Sequence, residues 1–133
     1  MKTINVKNIK KIIITILIII VISLIIKTIF MRWIEYEMLH KTTDISTEIG
    51  PNSEYTLHFQ SVGETIFMGT PSRVRVTLYK GNDKIKSFDE KIYDDGKALR
   101  EDNYSVEWQS DGVLITFYGE EQSDKVIKLS YEE

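Results

Sequence analysis

The amino-acid sequence predicts an all-β domain, an antiparallel β-sandwich of six to seven short strands, preceded by a single N-terminal transmembrane helix. Three observations carry this expectation. Ile12 to Ile26 is fifteen residues without a charge, ten of them isoleucine. From Pro51 onward the apolar period changes to two, with turn residues every 8 to 12 positions. The charge is also split: residues 1–34 hold six of the seventeen basic residues and no acid. The other 99 residues keep eleven bases against twenty acids, a net −9. Two environments for two parts of one chain is the physical reading of such an asymmetry.

The helix comes first. At roughly 0.3 to 0.6 kcal/mol per apolar residue, Ile12–Ile26 favours the bilayer by about 4 to 8 kcal/mol, against roughly 2.5 to 3.5 kcal/mol for Lys27 at its edge. Ile12 to Ile34 is 23 residues, about 34 Å of helix, enough for a hydrocarbon core of about 30 Å. Ile12, Ile20, Ile26, Lys27 and Trp33 mark the anchor, with Trp33 and Tyr36 where an aromatic belt would lie. A cleaved signal peptide needs a small-x-small site after the apolar run. Ala98 is the only alanine, and bulky residues follow the run, so the segment is expected to stay. Lys2, Lys7, Lys10 and Lys11 precede it, which places the N-terminus in the cytoplasm and the remainder outside. The expected organisation is a basic tail (1–11), a span (12–34), a juxtamembrane stalk (35–50) and an extracytoplasmic sandwich (51–133).

The strands follow in order. "EYTLHFQSV" alternates Tyr55, Leu57 and Phe59 inward. "RVRVTLYK" turns Val74, Val76 and Leu78 inward and Arg73, Arg75 and Thr77 outward, and "KGNDK" closes a hairpin. "KIKSFDEKIYD" is one bent strand or two short ones around Ile85, Phe88 and Ile92. "YSVEWQ", the Asp111-Gly112 turn, "VLITFYG" and "KVIKLSY" complete the set. The expected core is Tyr55, Leu57, Phe59, Val74, Val76, Leu78, Ile85, Ile92, Val106, Trp108, Ile115, Phe117, Ile127 and Leu129. An immunoglobulin-like arrangement or a similar one fits the strand count.

"GPNSEYTLHF" (50–59), "SRVRVTLY" and "VEWQSDGVLITFYG" (106–119) resemble, in that order, small single-span membrane-anchored proteins of Gram-positive bacteria whose extracytoplasmic β domains are of unknown function. The resemblance covers residues 50–118 and rests on turn and strand chemistry. Its opening is a Pro-Asp/Asn-Gly-x-Tyr turn, from which Ser53 departs by standing where glycine is common. It implies a tethered β domain and carries no catalytic residue with it.

Candidate chemistry is sparse. With no cysteine, disulfides, thiolate zinc and cysteine nucleophiles are excluded. His40 and His58 lie on separate segments without metal-ligand spacing. The excursion "YDDGKALREDN" offers Asp94, Asp95, Glu101 and Asp102 as weak calcium candidates, although Asp-Asp-Gly is also ordinary turn chemistry. "NYS" at 103–105 has the form of an N-glycan acceptor. Arg73, Arg75 and Lys80 form a basic strand face that could meet an acidic partner. The acidic domain disfavours nucleic acid. No cofactor is expected. The expected partners are the lipid bilayer and an unidentified protein or cell-wall component. The leading expectation is a non-catalytic binding or accessory module. The alternatives are a subunit packing through its transmembrane helix at Lys27, and an enzyme or calcium-dependent module using the loop 94–102.

Overall fold

The computed structural model describes residues 6–64 and 70–132; Lys2, counted above in the basic tail, lies outside them. The chain divides into two compact units, Met1–Glu35 and Tyr36–Glu133.

Helix α1 runs unbroken over Val6–Leu39, 34 residues, about 51 Å at 1.5 Å per residue. No glycine or proline interrupts it. None of its residues is buried: Ile12, Ile20, Ile26 and Trp33 are each about half exposed or more. A helix segment apolar on every face gains nothing from water. It is long and apolar enough to cross a membrane. Thr15 and Thr28 donate their hydroxyls to the carbonyls of Lys11 (2.9 Å) and Leu24 (2.8 Å), so neither presents a bare polar group.

The last helical turn belongs to the second unit and is tied into it. His40 N and Lys41 N both donate to Tyr36 O at 2.9 Å, and Glu64 N donates to Met38 O at 3.1 Å. The Arg73 guanidinium donates to Leu39 O, a cation meeting the negative end of a helix dipole. Gly63 N donates to Lys41 O at 2.7 Å.

Two antiparallel sheets follow. The first contains β1 (Thr42–Ile49), β2 (Tyr55–Val62), β3 (Ser72–Lys80) and β4 (Asp83–Ile92), in the order β1-β2-β3-β4. The second contains β5 (Tyr104–Trp108), β6 (Gly112–Phe117) and β7 (Lys125–Ser130), in that order. Residues 83–92 form one continuous strand, with a register shift opposite Leu78/Tyr79. Each sheet is a meander of consecutive strands. An immunoglobulin arrangement distributes successive strands between its two sheets, and these connections do not.

The stretch expected as a stalk is instead the helix end plus β1, which pairs with β2 from Thr42↔Val62 to Ile49↔Thr56. "TTDISTEI" gives little alternating signal because β1 is an edge strand with no fully buried residue. Backbone pairing holds it, and a bulge between Asp44 and Ser46 turns Ile45 onto the core.

Both sheets contribute to one core cluster. Leu57, Phe59, Val74, Val76, Leu78 and Ile92 come from the first; Tyr104, Val113, Ile115, Phe117 and Leu129 come from the second. Across the sheets Phe59 stacks on Tyr104 at 3.9 Å between centroids, and Phe88 meets Phe117 edge-on at 6.3 Å. Tyr55, Ile85, Val106, Trp108 and Ile127, expected inside, pack against the cluster only partly buried. Thr77, expected outside, is buried with its hydroxyl 2.9 Å from that of Ser87. Among the described residues no buried side-chain nitrogen or oxygen lacks a hydrogen-bond partner.

Candidate functional site

The acidic excursion is the connection between the two sheets, and its one buried charge, Asp94, is bonded within the fold. Asp94 is only 7% exposed. Its carboxylate accepts hydrogen bonds from Glu120 N (3.0 Å) and Asn103 Nδ2 (3.1 Å). The Glu120 amide foremost, then Asn103, holds this carboxyl below the usual carboxylate range. Asp95 occupies the turn at φ +50°, a left-handed conformation that aspartate tolerates. Glu101 and Asp102 are exposed on a short 3-10 turn, Glu101–Asn103. Asp102 pairs with Arg100 at 3.2 Å. A shallow depression of about 290 Å³ brings Asp94, Asp102, Glu120 and Asp124 to one rim beside Arg100; Asp95 and Glu101 are not among its lining residues. Among the described residues no three acidic or histidine side chains are placed to hold a metal ion. Asn103 is 5% exposed and its amide is committed to Asp94, so the folded domain does not offer "NYS" as a glycan acceptor.

The basic strand face is engaged from within. Arg73 caps Leu39 O. Arg75 makes a two-pronged contact to Asp89 at 2.7 and 2.8 Å, and Lys80 pairs with Glu54 at 2.9 Å. His58 lies against the Tyr79 ring at 4.9 Å, while His40 is exposed at the helix end.

One cleft, about 980 Å³, lies between β1 and the 96–102 connection, with Asp44, Ile45, Glu64, Leu99 and Glu101 in its lining. Its acids are exposed or only part-buried side chains, and none is an inward-aimed buried group. A second cleft, about 450 Å³, has a more specific chemistry. It forms where the β1–β2 turn (Gly50 to Glu54), the β5–β6 turn (Gln109, Ser110) and Tyr131 meet. β1 is eight residues long, so this cleft sits about 26 Å along the strand from Thr42, where the chain enters the sheet.

Aromatic side chains wall it. Tyr55 and Tyr131 stack at 4.0 Å between centroids, 13° from parallel, and Lys80 Nζ lies 5.5 Å from the Tyr55 centroid. A side chain on Gly50 would begin 3.1 Å from Tyr55 O, a tight approach, and 3.4 Å from the Trp108 ring, in ordinary contact with the indole. Tyr131 donates its hydroxyl to Gln109 O at 3.1 Å. Burial chiefly, then Tyr55 and Asp111, raises that hydroxyl above the ordinary tyrosine range, so it remains a donor at neutral pH. Asn52, Gln109 and Ser110 add uncharged polar groups; Glu54 is engaged by Lys80. Tyr55 and Trp108 were expected simply as core. Nothing in their spacing shows that residues 50–54 and 109–111 meet, and Tyr131, the last residue of the segment "KVIKLSY", gives no sign of the turns it joins.

No protein-family model, curated protein or solved structure matches this chain.

Proposed function

We propose that this chain is a single-pass membrane protein whose N-terminus is cytoplasmic. Its two sheets form an extracytoplasmic β-sandwich that acts as a non-catalytic binding module. The family resemblance of residues 50–118 to tethered β domains of Gram-positive bacteria belongs to the same reading. The observation that carries it is the pairing of an unburied α1 with a long, mostly apolar stretch and a separate unit in which, among the described residues, buried polar side-chain groups all have partners. Such a helix favours lipid, and such a unit folds around its own core. The non-catalytic assignment is favoured by the engagement of Asp94 in hydrogen bonds that hold the loop together.

The seat of binding in this reading is the aromatic cleft, and a sugar ring of a surface polysaccharide is the ligand class its chemistry suits. A pyranose offers apolar C–H faces to aromatic rings and hydroxyls to amides and carbonyls. About 450 Å³ is within the range of small-ligand pockets. The protein has two tryptophans, so a Trp33→Phe chain in lipid nanodiscs leaves Trp108 as the reporter. Titration with neutral and N-acetylated tetrasaccharides should give a saturable fluorescence change that Tyr131→Ala removes. Flat titrations across both sugar types would reject the cleft as a glycan seat.

A further inference from the structure

The apolar stretch of α1 carries five hydroxyl or charged residues: Thr15, Ser23, Lys27, Thr28 and Arg32. Thr15 and Thr28 satisfy themselves on the backbone four residues back. Arg32 stands at the boundary beside Trp33. Ser23 and Lys27 have no hydrogen-bond or ionic partner among the described residues. They are four residues apart, so they share one helix face, with Ile20 and Phe30 above and below them on the same stripe.

Lys27 has no easy escape to water. It lies fifteen residues from Ile12 and seven from Ile34, so the nearer boundary is toward the helix C-terminus, about 10 Å away. Side chains on an α-helix lean toward the N-terminus. The lean of Lys27 therefore carries its ammonium away from that boundary and into the hydrocarbon. A second copy of this chain packed through the same face would bring Lys27 against Lys27. Charge complementarity leaves one occupant.

We propose that the Ser23–Lys27 face of α1 docks a second transmembrane helix that carries an aspartate or glutamate at matching depth. The acid takes the Lys27 ammonium, and the Ser23 hydroxyl donates to the same carboxylate or to a neighbouring carbonyl. Because the contact lies wholly within α1, it is independent of the cleft described above.

The full chain can be labelled at a single introduced cysteine, Glu35→Cys, since it contains none of its own. It is reconstituted in phosphatidylcholine vesicles with a dye-labelled leucine-alanine helix bearing one Asp at the depth of Lys27. Energy transfer should report association about tenfold tighter than with the Leu-bearing helix. Lys27→Leu should erase the difference, Lys27→Arg should keep most of it, and Ser23→Leu should reduce it. Equal association with the Asp-bearing and Leu-bearing helices, or a preference surviving Lys27→Leu, would overturn the proposal. Carbonate extraction of each variant separates loss of pairing from loss of insertion.

Discussion

The side-chain amide of Asn103 donates to the Asp94 carboxylate at 3.1 Å, and the same carboxylate accepts from Glu120 N at 3.0 Å. These two bonds clasp the connection between the sheets to the turn that follows β6. Asn103 N also returns to Arg100 O at 3.1 Å, and Tyr118 N donates to Asn103 O at 2.8 Å. A loop whose composition suggests ligand binding is thus a fastener. Asp94→Ala removes both acceptors and leaves the buried Asn103 amide short of a partner. It should destabilise the domain by about 2 to 3 kcal/mol, read as a lowered urea midpoint. Substitution of the exposed Asp95 by Asn should leave the midpoint nearly unchanged.

The Asp94 clasp should also depend on pH. Its carboxyl is held below the usual range in the folded state. The unfolded chain therefore binds the proton more readily. The resulting stabilisation is complete above the unfolded value, about pH 4, and is lost as pH falls through the lower folded value. Asp89, lowered by its bond to Arg75, acts with the same sign. The gap in urea midpoint between the natural chain and Asp94→Asn should be wide at pH 7 and narrow at pH 3.

Gly63 sits at φ +73°, and a β-carbon there would stand 2.2 Å from Met38 O. Both the backbone conformation and the close approach demand glycine. Gly63→Ala should cost about 2 to 4 kcal/mol, combining a left-handed penalty with a backbone clash. Denaturant unfolding of the full chain in micelles, followed through Trp108 in the Trp33→Phe background, measures it.

Ser53 makes the opposite case. It occupies a left-handed conformation, φ +55°, in the β1–β2 turn, at the position where the resembling turns have glycine. Ser53→Gly relieves that strain and loses some unfolded-state restriction, so a gain of about 0.5 to 1 kcal/mol is expected. A midpoint unchanged or lowered in urea would show that the serine is held by more than its backbone.

The legible parts of this sequence are those where side chains alternate against a core. Leu57, Phe59, Val74, Val76 and Leu78 were all expected inside, and all are fully buried. The Gly81-Asn82 turn falls between paired strands, and Asp111 ends the β5–β6 turn just before β6 begins at Gly112. β1 was hidden because an edge strand needs only backbone partners, and its side chains are mixed on both faces. Val62, Tyr104 and Val113 are buried although they stand at strand ends, where alternation is hard to extend. The partners of Arg73 and Asp94 were not legible, because charge on a sequence does not show what it meets: one donates to a helix carbonyl, the other joins two loops. The aromatic cleft was illegible for a related reason, since it joins two turns and Tyr131 from separate parts of the chain.

The central claim is that α1 remains part of the mature protein and holds it in lipid. The most direct measurement is the intact mass of the chain recovered from carbonate-washed membranes of cells that express it. The account predicts a membrane-retained species that still carries the residues of α1. A soluble species lacking the segment through about residue 30, the outcome of signal-peptide cleavage, would contradict it.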